Sequence, residues 1–500
     1  MKNILLILAL TFLAFNISCK KNTTSSENTA PTASFTINPT TGTTATTFDF
    51  DATGSSDIED ATNVLQVRWD WNNDGTYDTN YSTTKTATHQ YATVGTYTVK
   101  LEVKDRGGLV NTATQILSIQ QQSIVVTFPD SNFEALIRQT LGKPSGDITD
   151  ADLATITTLR GRYKDITNIT GIEYCVNITF LDLYNNGQIS DISQLSGLTK
   201  LVELYLGQND ITDISALTNM FNLEVLQINN NNINDISLIS GFQNLTYLAI
   251  GENPLNDFSS ITSLTNLEII SITSLQLQNL DIISNLTNLT DIEARKNRIT
   301  DISVLSNLIA LEYLNLSINP IADYSPIAGL INLRNLSLNN NHIIDINFLT
   351  NLINLEILDI FYNDISDISA ISNLIKLVRL TSGHNQISDI SALSNLTELE
   401  YLDISMNPAV SNIGALAGLG NLKYLFMYYN NVTDISPLLN LVNLVKLKLK
   451  NNAVVDIETL VNNDGINSGD EIWLENNPLS DTSINTYIPA LEAREVTVNQ

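Results

Sequence analysis

The chain has little sulfur and little histidine. Only two of its 500 residues are cysteines, Cys19 and Cys175, which excludes a disulfide framework, so stability must come from packing. Three histidines, His89, His342 and His384, leave few bases for nucleophilic catalysis. The sequence also lacks a phosphate-binding loop and a nucleophile elbow. We therefore expect a protein that is not an enzyme.

Basic residues are scarce as well. Lysine and arginine number 25 against 53 aspartates and glutamates, which gives a formal charge of -28. A broadly acidic protein repels nucleic acids and anionic membrane surfaces, so neither is expected as a partner. After the N-terminal apolar run 4–15, no segment is apolar for long enough to span a membrane.

That N-terminal run belongs to a secretory signal. Lys2 precedes it, and Ser18 is the small residue expected at a cleavage site. The sequence predicts a signal peptide over residues 1–18, followed over residues 19–30 by a polar tether that cannot bury enough surface to fold.

The end of the signal, Ile17-Ser18-Cys19, resembles a bacterial lipobox, although Asn16 stands where that family usually has leucine. The resemblance implies that Cys19 carries a lipid, which would anchor an exported protein to the outer membrane, facing outward. The alternative is an ordinary signal that is cleaved nearby.

Short runs of alternating apolar and polar residues between turns indicate an all-β domain over residues 31–120. Four sequence features resemble the PKD repeat, an immunoglobulin-like sandwich: Trp69-Asp70-Trp71-Asn72-Asn73-Asp74-Gly75, His89-Gln90-Tyr91, Gly95-Thr96-Tyr97, and Asp105 with Gly107-Gly108. The resemblance implies a spacer or accessory module, in which His89 is a hydrogen-bonded framework residue rather than a ligand.

One loop of this domain has alternating oxygen donors. Asp70, Asn72, Asp74 and Asp78 could converge on a calcium ion around a turn at Gly75. Tyr81, however, stands where an EF-hand loop would supply a bidentate glutamate. Two interpretations stay open, a calcium site and a plain hairpin turn held by Asx contacts.

From about residue 178 onward, the chain repeats itself every 22 residues. The pattern around each repeat is L-x-x-L-x-L-x-x-N-x-I, the signature of leucine-rich repeats, and about fourteen copies follow one another. The recurring asparagines, with small slips near the ends, are Asn186, Asn209, Asn231, Asn253, Asn297, Asn319, Asn341, Asn363, Asn385, Asn407, Asn430, Asn452 and Asn477.

Each column of the repeat has a physical role. The leucines of L-x-L share the buried face of a short strand, so the strands should stack into one parallel sheet with short helical or 3-10 segments opposite. The asparagine amides should pair buried backbone groups at the turn. A second column four residues later, usually within D-I-S, should cap the helical turns: Asp213, Asp235, Asp257, Asp301, Asp323, Asp345, Asp367, Asp389, Asp434 and Asp456.

Three residues depart from the repeat or need separate interpretation. Leu275 replaces a column asparagine and Ser382 replaces an inward leucine, so both should mark local irregularity. Cys175 falls where later coils have leucine, which predicts a buried thiol.

The 22-residue period with D-I-S-x-L resembles the internalin family of bacterial surface proteins. The flanks agree with an array closed at both ends. An amphipathic helix from Asp130 to Leu141 and a second one opened by Ile148–Leu153 place a linker and helical cap at 121–177, followed by repeats at 178–480 and a C-terminal cap at 481–500. The resemblance implies receptor binding, without transferring any contact residue.

The outward strand positions change along the array. They are small and polar in the middle coils and become aromatic and basic toward the C-terminus, a composition typical of binding hot spots. The candidate ligand-binding residues are Phe361, Tyr362, Arg379, Tyr401, Tyr424, Phe426, Tyr428, Tyr429, Lys446, Lys448, Lys450 and Trp473. The sequence thus predicts a non-enzymatic envelope protein that presents a concave repeat surface to a protein partner in adhesion or recognition.

Three other functions compete with this one. A stiff structural spacer and a carbohydrate-binding accessory remain as alternatives, because strand propensity explains some aromatics and aromatic rings also stack on sugars. Hydrolysis of sugars by the outward carboxylates Asp359 and Asp403 is disfavoured, since they lie two coils apart.

Overall fold

The computed structural model describes residues 27–500, in two compact units that divide between Ile124 and Val125. The predicted signal peptide and Cys19 lie outside the described residues. Among the described helices, none has the length and apolar character that a membrane span requires.

The first unit is a pair of β-sheets around an aromatic core. A three-stranded sheet has the order β1-β3-β5 and a four-stranded sheet the order β2-β7-β6-β4. Phe50 and Trp69, one from each sheet, lie with ring centroids 5.5 Å apart, so the core sits between the sheets. The strands are β1 Thr36–Asn38, β2 Thr41–Thr43, β3 Phe48–Asp51, β4 Gln66–Asp70, β5 Thr86–His89, β6 Gly95–Lys104 and β7 Val110–Gln120.

The second unit opens with the two predicted helices, α1 (Ser131–Leu141) and α2 (Asp150–Leu153). Asp130 fixes α1 to the array: its Oδ1 accepts the N–H of Phe133 at 2.9 Å, and its Oδ2 accepts the N–H of Thr167 at 2.7 Å. Burial opposes the charge of this carboxylate, but these donors outweigh it and lower the pKa of Asp130. The cap therefore joins the first coil through a buried side chain.

Sixteen parallel strands form one sheet in strict chain order. Each strand is three residues long, and its central side chain is buried in the continuous core except in the last strand, where Val498 is half-buried against it. The strands are β8 Thr158–Arg160, β9 Phe180–Asp182, β10 Glu203–Tyr205, β11 Val225–Gln227, β12 Tyr247–Ala249, β13 Ile269–Ser271, β14 Asp291–Glu293, β15 Tyr313–Asn315, β16 Asn335–Ser337, β17 Ile357–Asp359, β18 Arg379–Thr381, β19 Tyr401–Asp403, β20 Tyr424–Phe426, β21 Lys446–Lys448, β22 Glu471–Trp473 and β23 Thr497–Asn499.

Short helices return the chain from each strand to the next. The 3-10 helices are Ile172–Tyr174, Ser193–Leu195, Ser215–Leu217, Ser237–Gly241, Ser259–Ser263, Asp281–Ile283, Ser303–Asn307, Ser325–Gly329, Asn347–Leu349, Ser369–Ile371, Ser391–Asn395, Gly414–Leu416 and Ser436–Leu438. The last coils have α3 (Glu458–Asn462), a π-helix (Ser483–Tyr487) and α4 (Ile488–Glu492) instead.

The asparagine column forms the expected ladder. Asn319, which is buried, donates from Nδ2 to the carbonyls of Leu316 at 2.9 Å and Ala294 at 3.1 Å, and its Oδ1 accepts the N–H of Ile299 at 3.1 Å. One amide thus satisfies main-chain groups of its own coil and of the coil before it.

The aspartate column acts one residue earlier than a conventional N-cap. Asp301 Oδ1 accepts the N–H of Ser303, the first helical residue, at 2.8 Å, whereas the N-cap position itself is Ile302. The same contact recurs at all ten predicted aspartates. These carboxylates therefore hold turns, as predicted, through an Asx contact.

Two predicted irregularities have different outcomes. At Leu275 the ladder is interrupted, because a leucine has no amide, yet Asn297 Oδ1 still accepts the Leu275 N–H at 2.8 Å. At Ser382 the register of β18 with both neighbouring strands continues unchanged, so that expectation was wrong for the strand. Cys175 is fully buried as predicted, and burial raises the pKa of its thiol to about 12.

The sheet begins earlier than the sequence indicated. Strand β8, Thr158–Arg160, pairs in parallel with β9 and lies within the segment predicted as linker and cap. Strand β23 pairs with β22 and ends the sheet inside the predicted C-terminal cap.

Candidate binding face of the sheet

The outward side chains of β8–β23 form one surface, here called the sheet face. In β20 the buried Leu425 separates two outward residues, Tyr424 and Phe426. Because the strands pair in register, outward residues form rows across the coils. One row is Arg379, Tyr401, Tyr424, Lys446 and Glu471, and the next is Thr381, Asp403, Phe426, Lys448 and Trp473.

The C-terminal rows bring the predicted aromatic residues into contact. The Tyr401 ring lies edge-on to Phe426 with centroids 5.3 Å apart, and 6.0 Å from Tyr424. The ring centroids of Tyr428 and Tyr429 are 6.1 Å apart. Such ring pairs hold one another in place, so little side-chain entropy is left to lose when a partner binds.

The predicted lysines lie on these rings. Lys448 Nζ is 4.9 Å from the Phe426 centroid and 5.0 Å from that of Trp473. Lys446 Nζ is 4.6 Å from the Trp473 centroid and 2.7 Å from Glu471 Oε2. Lys450 Nζ is 5.5 Å from the Tyr428 centroid. The cations are therefore positioned by cation–π contacts.

We call Tyr401, Tyr424, Phe426, Tyr428, Tyr429, Lys446, Lys448, Lys450 and Trp473 the C-terminal patch. Tyr424 and Tyr429 keep 39% and 49% of their surface exposed, and most of the other members are half-buried. The patch thus combines fixed orientation with accessible ring surface.

The other three predicted residues adjoin the patch. Arg379 lies over the Tyr401 ring at 4.2 Å, and Tyr362 packs on His384 with centroids 3.9 Å apart. Phe361 is half-buried and faces a cavity that is described below.

A second group on the same face surrounds the N-terminal aromatic residues Phe180, Tyr184 and Tyr205, and sequence reasoning missed its basic members. Arg160 lies 4.1 Å over the Phe180 ring, and Arg162 lies 4.8 Å over the Tyr184 ring. Tyr163 packs edge-on to Tyr184 at 5.9 Å. The basic members lie in and just after β8, a segment that the sequence pattern places in the cap. The 22-residue spacing from Arg160 to Asp182 is the sequence signal that assigns this segment to the repeat array.

The residues named as possible calcium ligands accept main-chain N–H groups of their own loop. Asp70 is fully buried, and its Oδ1 and Oδ2 accept the N–H groups of Asp74 and Gly75 at 3.3 and 3.1 Å. Asp78 Oδ2 accepts the Trp71 N–H at 2.7 Å. Within residues 27–500 no three acidic, histidine or cysteine side chains converge as metal ligands would. This geometry fits the hairpin-turn interpretation.

His89 has a framework role of another kind than expected. Its ring stacks on Trp71 with centroids 4.8 Å apart and packs edge-on to Tyr91 at 4.6 Å. Burial lowers the pKa of this imidazole, despite the opposing charge of Asp78. Ring packing, rather than a hydrogen bond, therefore holds His89 in the core of the first unit.

The outward carboxylates have polar neighbours on the sheet face. Asp403 is 8% exposed, and Asp359 accepts hydrogen bonds from Thr381 and Asn339. His342 faces Asp364, with Nδ1 3.3 Å from Oδ2, two coils before His384.

Comparisons with known proteins agree with both units. The PKD domain family matches residues 28–120, and the family of leucine-rich repeats in two copies matches 165–219, 287–329, 331–373 and 420–462. The molecule is therefore a leucine-rich-repeat solenoid that follows a PKD domain. No curated protein matches the chain in sequence.

An internalin of Listeria monocytogenes, InlF, has a solved structure that is 34% identical; the match covers 71% of this chain and 96% of that one, with a TM-score of 0.53. The chain therefore belongs to the internalin family. The functional domain of InlJ from Listeria monocytogenes shares the fold at 24% identity, 71% and 81% coverage and a TM-score of 0.56. A leucine-rich-repeat protein of Leptospira interrogans shares it at 20% identity, 70% and 97% coverage and a TM-score of 0.61.

Proposed function

We propose that this protein is a non-enzymatic recognition protein of the bacterial envelope, which binds a protein partner through the C-terminal patch. Nine neighbouring residues of aromatic or basic type share contacts over β19–β22, and this clustering is the observation that carries the proposal. Oriented aromatic rings and partly desolvated cations are the groups that dominate protein interfaces. The internalin and leucine-rich-repeat class is one of binding proteins, which supports the same assignment.

The chemistry of the patch defines the partner. Lys448 and Lys450 form no ion pairs with described carboxylates, whereas Lys446 is neutralised by Glu471. A neutral or mildly acidic protein surface would complement these charges, while a basic one would not. The concave repeat surface is thus proposed to engage an acidic or neutral partner in adhesion or recognition.

Alanine substitutions of four patch residues test this assignment. The full chain is immobilised, and proteins from the bacterium's surroundings are tested for binding to it. Binding of a captured protein should weaken by about 1 kcal/mol or more in each of the variants Tyr424→Ala, Phe426→Ala, Tyr428→Ala and Trp473→Ala. The melting temperature should stay close to that of the parent chain, because these side chains lie outside the buried core.

The matched control is the N-terminal aromatic set of the same sheet face. Phe180→Ala, Tyr184→Ala and Tyr205→Ala remove aromatic rings at the other end of the face, of which Phe180 and Tyr184 carry arginines. If these variants lose capture while the four patch variants keep it, the partner binds at the other end of the face and the assignment to the C-terminal patch is wrong.

The cellular location is part of the same proposal. A lipid on Cys19 would anchor the exported chain to the outer membrane, supported by the apolar run 4–15 and Ser18-Cys19. Cys19→Ala should move the protein from the detergent phase to the aqueous phase, and protease added to intact cells should cleave the parent chain. Retention of the variant in detergent would contradict the anchor, and full protease resistance would place the protein in the periplasm.

A further inference from the structure

A cavity of about 690 Å³ opens on the sheet face next to the C-terminal patch. Its walls include Asn339, Asp359, Phe361, Arg379, Tyr401 and Asp403. We call it the polar pocket. Its volume lies within the range of small-molecule sites, and the C-terminal patch, as defined above, shares only Tyr401 with it.

Glycine at 383 sets the positions of two residues that line the pocket. A β-carbon at Gly383 would stand 2.8 Å from Phe361 Cε2, 2.9 Å from Ser405 Oγ and 3.0 Å from Asp403 Oδ1. The first two contacts are closer than real β-carbons show and the third is tight, so the ring and the carboxylate converge only because residue 383 has no side chain.

Asp403 is the polar group that lacks a full set of partners. It is more than nine-tenths buried, and Oδ1 accepts the Ser405 N–H at 2.9 Å. Its Oδ2 has no hydrogen-bond donor in the part of the chain that the structure describes. Burial raises the pKa of this carboxyl. Because Oδ2 is not enclosed by protein atoms, it can accept a hydrogen bond from a ligand in the pocket.

Arg379 supplies hydrogen-bond donors at the mouth of the pocket. It is exposed, lies over the Tyr401 ring at 4.2 Å, and forms no ion pair with any carboxylate of residues 27–500. Its guanidinium is therefore held flat and available as a fork of donors. A free acceptor at Asp403 and free donors at Arg379 thus line one cavity.

The pocket presents groups of both charges. Arg379 and Arg295, which also pairs with Glu293 at 3.6 Å, face Asp359 and Asp403. A cationic ligand would meet the arginines and an anionic ligand the aspartates, so neither sign is favoured overall. A neutral molecule rich in hydroxyls can use both kinds of group, since each hydroxyl donates to a carboxylate and accepts from a guanidinium or amide.

From these observations we infer that the polar pocket binds a neutral saccharide. The Asp403 and Asp359 carboxylates accept its hydroxyls, Arg379 and Asn339 donate to it, and the apolar face of a pyranose ring packs on Phe361. The site is a second function beside protein capture by the C-terminal patch, and either one can exist without the other.

An array of neutral oligosaccharides built from glucose, galactose, mannose and N-acetylhexosamines tests the inference with the full chain. At least one such glycan should bind, with an affinity that does not change between low and high salt, because no net charge is paired. Gly383→Ala should abolish this binding, because the added methyl group displaces the Phe361 ring and the Asp403 carboxylate that line the pocket. Arg379→Ala should weaken it about tenfold or more, as expected for loss of a hydrogen bond from a charged group.

Gly329→Ala is the matched glycine control, because a β-carbon there meets no atom within 4 Å, and it should bind like the parent chain. Arg379 is exposed, so its variant keeps the test decisive if Gly383→Ala fails to fold. Absence of any bound neutral glycan overturns the inference, as does equal binding by the parent chain and both pocket variants. Binding of acidic glycans or of a lysine-rich peptide alone would show a charged ligand instead.

Discussion

The main-chain N–H of Asn319 donates to the side-chain Oδ1 of Asn341, 22 residues later, at 2.8 Å. Asn341 in turn donates its N–H to Oδ1 of Asn363 at 3.0 Å. Consecutive coils are therefore joined inside the turn as well as through the sheet. The repeat conserves asparagine for a physical reason, because only a side chain with both a donor and an acceptor can serve two coils at once.

Loss of one ladder amide should destabilise the array. Asn319→Ala removes four hydrogen bonds to buried main-chain groups, and the free energy of unfolding should fall by about 1 to 3 kcal/mol. Asn332→Ala is the control, since Asn332 is exposed and donates only to the Ile309 carbonyl. Urea denaturation compares the two, and an equal loss in both variants would show that burial does not set the contribution.

The aspartate column predicts a loss of stability in acid. Backbone N–H donors, as from Ser303 to Asp301, lower the pKa of these carboxyls below the ordinary value of 3.8; those affected are Asp235, Asp257, Asp301, Asp323, Asp367 and Asp434. A group whose pKa is lowered on folding stabilises above its ordinary pKa and loses that contribution as the pH falls through the lower value. The urea midpoint should therefore drop below pH 3.8.

Replacement of these six aspartates by asparagine should make stability depend less steeply on pH in acid and should preserve the turns. The chain already uses this replacement: Asn279 and Asn412 accept the N–H groups of Asp281 and Gly414 in the same geometry. Substitution of exposed carboxylates outside the column, such as Glu224 and Glu268, controls for net charge. A variant that loses stability in acid as steeply as the parent chain would show that other groups cause the loss.

Quenching of tryptophan fluorescence by iodide should depend on the lysines of the C-terminal patch. Trp473 is half-buried, whereas Trp69 and Trp71 are 2% and 8% exposed, so an anionic quencher acts mainly on Trp473. Lys446→Gln together with Lys448→Gln should lower quenching by iodide at constant ionic strength, because the local cations attract it. Quenching by neutral acrylamide should stay unchanged; a parallel fall in both would indicate altered packing of the indole.

The hairpin of the first unit should not respond to calcium. Asp70→Ala leaves the Gly75 N–H without an acceptor and removes one of the two acceptors of the Asp74 N–H, so the melting temperature of the first unit should fall. Asp74→Ala should have a smaller effect, because Asp74 is exposed and accepts only the Thr76 N–H, at 2.7 Å, and the Asn72 side-chain amide, at 3.0 Å, in the same turn. The parent chain should melt at the same temperature in millimolar calcium and in chelator, and a rise with calcium would restore the cation interpretation.

Periodicity predicted the solenoid because each column of the repeat has one physical role, and those roles hold in almost every coil. The period did not reveal the strands at the ends of the sheet. The coil of β8, for example, has no column asparagine, so its sequence resembles part of the cap. The first unit was predicted from its motif, but the sequence could not show that the oxygens of Asp70 and Asp78 already accept main-chain N–H groups.

The binding face was predicted only in part. Outward positions follow from alternation, so the residues of the C-terminal patch could be named from the sequence. The polar pocket could not, because it depends on how the Phe361 ring and the Asp403 carboxylate converge over Gly383. Such convergence is set by rotamers, which no spacing of residue types reveals.

The regular register of the ladder also bears on how such a gene can change. Removal or duplication of 22 codons within the array would bring one ladder asparagine into the place of another and leave each hydrogen-bond partner in position. The sheet would then shorten or lengthen by one strand spacing, about 4.8 Å, without a new fold being needed. Recombination can thus adjust the separation between the two aromatic groups of the sheet face in fixed steps, and the spacing that suits a partner is open to selection.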